Sequence, residues 1–123
     1  MNPIVLAALH GYAKGYAFGR GAGSIHPAQA MVFGPIKEEL SYRGGLAATT
    51  AGFADWASAA AFAFSHFDPT ADQGMRNFKM LDAFAGGLLY AKAFREYGLF
   101  GAVAAHAIHN MMTMAGAGER KRR

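Results

Sequence analysis

Alternation of polar and β-branched residues is essentially absent from this chain, and its apolar positions gather into long alanine-rich stretches broken by glycine, proline or short charged clusters. Strands are therefore not expected, and five helices are. The first covers about residues 4–18 and ends at the glycine-rich Gly19-Arg20-Gly21-Ala22-Gly23-Ser24, a flexible turn. Its GxG spacing follows no strand, so it is not a nucleotide loop. The second opens after Pro27 and runs to about 48, with a kink at Pro35 because proline removes a backbone donor. The third spans about 51–66 and stops before Asp68-Pro69, since the residue preceding a proline avoids the helical region. The fourth runs over about 75–96 and breaks at Gly98. The fifth runs over about 99–114, with a loose tail from 115.

Composition shifts this picture toward lipid. Hydrophobic residues make up 53% of the 123 and charged residues 16%, below the usual quarter for soluble domains. Residues 97–118 carry no Asp, Glu, Lys or Arg, and residues 44–67 carry only Asp55. Both stretches have the roughly 20 residues that a bilayer crossing needs. The expected fold is thus an all-α, polytopic membrane bundle of four to five helices. It would form one domain over 1–118, followed by a basic tail over 119–123. Against this, the 27 alanines and 16 glycines hold the mean hydropathy to +0.10.

The formal net charge of +4 gathers at the end, in Arg120, Lys121, Arg122 and Arg123. For a membrane protein that places the C-terminus in the cytoplasm. As a solvated tail it would instead only keep the chain dispersed or touch anionic lipid. The start, Met1-Asn2-Pro3, lacks the basic region of a secretory signal. The absence of cysteine excludes disulfides, thiol catalysis and thiolate-bound zinc. No aromatic-interleaved basic patch suggests nucleic acid.

Three short patterns could carry chemistry. Glu38 and Glu39 are helix neighbours and point about 100° apart, so they should have different tasks. Glu39 can pair with Arg43 four residues on, leaving Glu38 free to face a water or a substrate. A carboxylate in a dry site has its pKa raised, which suits a general base. Phe62 and His66 share a face, as do His106 and Asn110. Each pattern has a plain reading as well: a salt-bridged helix stripe, a hydrogen-bonded core histidine, a packing amide. Their combination on separate apolar helices would gather one base and three hydrogen-bonding groups. His109, three residues from His106 on one helix, is open as an alternative ligand, a substrate contact or a packing residue, with packing favoured; His10 and His26 are read as structural or loop residues, and the aromatics and the Met111, Met112, Met114 cluster as packing or lipid-facing.

The ordered motifs Glu38-Glu39-x-x-x-Arg43, Phe62-x-x-x-His66 and His106-x-x-x-Asn110, with the Phe84-x-Gly86-Gly87-Leu88-Leu89 stretch before the last, resemble the CAAX-protease and bacteriocin-processing (Abi-like) family of intramembrane proteases. The resemblance covers roughly residues 31–112. It implies an intramembrane endopeptidase acting on a peptide or protein substrate. Glu38 and His66 would activate the water, His106 and Asn110 would steady the oxyanion, and Glu39 and Arg43 would support. It leaves a divalent metal such as zinc open, with Glu38, His66 and His106 as ligands. Members usually have more than 200 residues and further helices, so this would be a minimal version of the family core. Two alternatives stand beside it. One is a non-catalytic membrane protein of structural or immunity type that keeps the motifs as a polar packing network. The other is a helical component of a larger assembly or homo-oligomer.

Overall fold

A computed structural model describes residues 1–18, 28–49 and 52–123; His26, the glycine-rich turn and the start expected for the third helix, residue 51, lie outside them. The described chain is all-α, with α1 at Pro3–Phe18, α2 at Gly34–Arg43, α3 at Phe53–Ser65 and α4 at Gln73–Arg122. A π-helical turn, Gln29–Phe33, leads into α2, and a 3-10 turn, Gly44–Ala48, leads out of it.

Local chemistry sets most of the ends. Asn2 Oδ1 accepts the Ile4 amide at 2.8 Å, and Pro3 follows at the first helical position of α1, where its missing donor costs nothing. Pro35 likewise sits in the first turn of α2 rather than kinking the middle of a longer helix. The irregularity expected at the proline falls one turn earlier, in the π turn. Asp72 caps α4 by accepting the Met75 amide at 2.9 Å.

Gly98, at φ +73° and ψ −166°, breaks the helical path of α4. Tyr90 and His106 would stand about 24 Å apart along a straight helix, yet their rings stack at a centroid distance of 4.5 Å. The chain therefore reverses at Gly98 and the two halves of α4 pack on each other. The expected break is present, but the loose tail is not. Helix continues to Arg122, with Gly116 and Ala117 buried, and the Arg120 guanidinium donates to the Ala17 carbonyl at the end of α1.

Small residues form the seams. Pro3, Ala7, Gly11 and Gly15 are the buried positions of α1, one per turn. A Cβ at Gly11 would strike the His109 carbonyl, at Gly15 the Thr113 carbonyl, and at Gly116 the Tyr12 carbonyl. Alpha1 and the second half of α4 thus meet backbone to backbone. Alanines make up most of the buried apolar core, joined by Leu46, Phe62 and Tyr90, while Phe53, Phe64, Leu81 and Phe100 stand more than two-thirds exposed.

The membrane expectation is corrected here. No described helix is long and apolar enough to cross a bilayer. The charge-free run at 44–67 is divided by Gly52, at φ +125°, and its helical part, α3, has only 13 residues. That is about 20 Å, against a hydrocarbon core of about 30 Å. The run at 97–118 is long enough but carries His106, His109 and Asn110 among alanines and glycines. Freedom from charge is not hydrophobicity. The polytopic fold, the integral-membrane location with a cytoplasmic C-terminus and the lipid bilayer as partner all lose their basis.

Candidate functional site

The motif residues divide between an enclosed network and its margin. Glu39 on α2 and Arg43 one turn later are fully buried, and Arg43 Nε lies 3.2 Å from Glu39 Oε2. His106 arrives from the second half of α4 and donates from Nδ1 to Glu39 Oε1 at 2.8 Å. The guanidinium also donates to Ser58 Oγ on α3 at 2.8 Å and to the Gly87 carbonyl on the first half of α4 at 3.0 Å. Ser58 passes a 2.6 Å hydrogen bond back to the Tyr42 carbonyl. One ion pair therefore ties α2 to α3 and to both halves of α4. Gly87 makes this possible, because a Cβ there would stand 3.1 Å from the Ala59 backbone.

Electrostatics follow from the burial. Desolvation lowers the Arg43 pKa from its ordinary value while Glu39 opposes the shift, and the side chain remains a cation. Tyr90, stacked on His106, has its phenol pushed well up by burial and then by the nearby Glu39 carboxylate. Around this core Phe62 is a hub. Its ring meets Tyr42, Tyr90 and His106 edge-on at 5.5, 5.8 and 5.6 Å, with the Arg43 guanidinium 5.3 Å from its centre.

Glu38 is at the margin. Its Oε2 lies 3.9 Å from His106 Nε2, beyond hydrogen-bonding distance, and that oxygen is buried without a hydrogen-bond partner. His66 rests on the other side chain of its motif, at 4.5 Å between the His66 and Phe62 rings. Its Nδ1–H donates to the Phe62 carbonyl at 2.8 Å, a bond that closes the C-terminal turn of α3. No hydrogen bond or ion pair joins His66 to Glu38 among the described residues. Asn110 offers its amide oxygen to His109 Nδ1 at 3.4 Å.

A second cluster escaped the sequence reading. His10 and Lys14, one turn apart on α1, both reach Asp82 on the first half of α4. His10 Nε2 meets Oδ1 at 2.8 Å and Lys14 Nζ meets Oδ2 at 2.9 Å. The His109 ring from the second half of α4 lies 5.0 Å from that of His10. His10, Asp82 and His109 each present a ligand atom within 4.8 Å of the others, a set capable of coordinating a divalent metal. Among the described residues this group of three converges. The sequence held two partial signals: His10 and Lys14 share a helix face, and His109 is open as an alternative ligand beside its favoured packing role. The meeting of His10 and Lys14 with Asp82 and His109 depends on the reversal at Gly98.

Burial, the His10 hydrogen bond and the Lys14 charge act together on Asp82; burial raises its pKa, the other two outweigh it, and the group settles at about 2. Burial, with Lys14 and His10 adding repulsion, pushes His109 down to about 3. Its imidazole is neutral in the fold at ordinary pH.

Fold and site together define a small all-α protein organised around an enclosed glutamate–arginine–histidine network. A family profile described as type II CAAX prenyl endopeptidase, Rce1-like, matches residues 24–112, and the chain belongs to that Rce1-like family, as its motifs led one to expect. No curated protein and no solved structure matches it.

Membership does not carry the expected activity with it. The intramembrane endopeptidase reading, with its peptide substrate, is overturned by the absence of any described helix able to span a membrane. The ligand-type residues also converge at a place other than the supposed hydrolytic centre.

Proposed function

We propose that this chain is a non-catalytic, structural helical member of its family, in which the three motifs serve as a polar packing network. The observation that supports it most is the enclosure of Glu39 and Arg43. Both are wholly buried, and their polar contacts run to His106, Ser58 and the Gly87 carbonyl. Breaking one partner of a buried pair costs about 3–5 kcal/mol, a large part of a small domain's stability of about 5–15 kcal/mol. Within this reading His66 closes α3 and rests on Phe62, Glu38 lines the edge of the network, and Asn110 meets His109. Glu39 and Arg43 hold α2 against its neighbours. The large apolar side chains left outside, such as Phe53 and Phe100, give a helical component a surface to bury.

Substitution separates this role from hydrolysis. Glu39→Gln should lower the urea midpoint strongly and Glu38→Gln only slightly, with no cleavage of a prenylated CAAX peptide by either variant or the parent. Cleavage by the parent that Glu38→Gln abolishes, with the fold intact by circular dichroism, would sink the structural reading.

A further inference from the structure

The buried titratable groups outside the motif network converge on one place. His109 is 4% exposed, and its Nε2 is buried with no hydrogen-bond partner. Its other nitrogen faces the Asn110 amide oxygen, an acceptor, so the proton belongs on Nδ1 and the lone pair on Nε2. A buried acceptor left unsatisfied is destabilising, so it calls for a partner. His10 adds a second buried nitrogen without one, Nδ1. Between these rings Asp82 supplies a carboxylate with one oxygen held by Lys14 and the other by His10.

We propose that His10, Asp82 and His109 bind a divalent cation of the zinc class, and that this ion clamps α1 to both halves of α4. Two imidazoles and one carboxylate are a zinc-type donor set with a fourth position left for water. Magnesium and calcium require six or more oxygens, which the cluster lacks. Tetrahedral zinc, with bonds of about 2.0–2.1 Å, sets its ligand atoms about 3.3 Å apart. His10 Nε2 and Asp82 Oδ1 are already closer than that, at 2.8 Å, and no pair exceeds 4.8 Å. Loading therefore needs side-chain rotation and the transfer of the His10 proton from Nε2, where it bonds Asp82, to the unpartnered Nδ1. Lys14 keeps Asp82 Oδ2 and orients the carboxylate from behind, as outer partners of metal ligands do.

The test uses the full chain, stripped with chelator and desalted, then titrated with zinc chloride by calorimetry and by thermal unfolding. Magnesium chloride and the His66→Gln variant are the controls. Zinc should bind one to one and raise Tm, magnesium should do neither, and His66→Gln should match the parent. His10→Gln, Asp82→Asn and His109→Gln should each weaken zinc binding about tenfold or more. Because His109→Gln alters a buried position, the half-buried His10 and Asp82 variants decide the matter if it fails to fold. Cobalt substituted for zinc should give the intense visible absorption of a tetrahedral site. Zinc binding that survives in His10→Gln and Asp82→Asn, equal loss in His66→Gln, or no binding at all would each overturn the proposal. None of these results bears on the Glu39 network, which shares no residue with the site.

Discussion

Glu39 Oε1 accepts the Nδ1–H of His106 at 2.8 Å, across 67 residues of sequence and with both side chains buried. This contact fixes the His106 tautomer, because a carboxylate only accepts. Glu39→Gln leaves Arg43 as a buried cation without its counter-ion, so unfolding free energy should fall by about 3–5 kcal/mol, read by urea denaturation. The double variant Glu39→Met/Arg43→Leu should cost less than the two single changes together, since the desolvation penalty leaves with the pair. Simple additivity would show that the pair is not coupled.

The α1 seam makes a steric prediction. Gly15→Ala places a methyl group into the Thr113 carbonyl, and backbone cannot rotate away as a side chain can. A loss of about 1–3 kcal/mol or more is expected. Gly44→Ala has open space around its Cβ and should change stability by less than about 1 kcal/mol. Equal effects at the two positions would refute the backbone contact.

Arg95 makes a third. Its guanidinium holds Asp55 Oδ1 at 2.7 and 2.9 Å, the Leu46 and Thr49 carbonyls at 3.0 and 2.6 Å, and Thr49 Oγ1 at 2.9 Å. It thereby pins the start of α3 to α4. Arg95→Gln should speed amide exchange in the first turn of α3 while leaving α1 unchanged. Arg95→Lys should rescue little, because an ammonium cannot reproduce the planar fork.

Acid sensitivity follows from His109. Its pKa falls from 6.5 to about 3 on folding, so between those values the unfolded chain binds the proton and the fold does not. Stability should then be full above about pH 6.5 and decline as pH falls toward 3, by up to about 1.4 kcal/mol per unit. Asp82, lowered from 3.8 to about 2, adds a loss between those two values. Urea midpoints measured in chelator from pH 7 to 4 should drop in the parent and flatten in His109→Gln. A flat parent profile would contradict the buried, neutral ring.

What the sequence made legible was local. Glu39 and Arg43 are four positions apart, the Gly98 break needs one glycine, and the end of α3 follows from Asp68 and Pro69. The meeting of His10, Asp82 and His109 is long-range and depends on the reversal at Gly98, which no spacing announces. The bilayer expectation failed for a different reason. Counting charges treats alanine, glycine and neutral histidine as though they were leucine, while insertion depends on apolar area.

The alanine core has a thermal consequence. Heat capacity on unfolding comes from newly wetted apolar surface, at about 12–15 cal/mol/K per residue in ordinary domains. Here the buried positions are mostly single methyl groups, and many large side chains are already wet in the fold. Unfolding this chain should expose less new hydrocarbon per residue, giving a shallow denaturant slope and a flat stability curve that changes little between the cold room and body temperature.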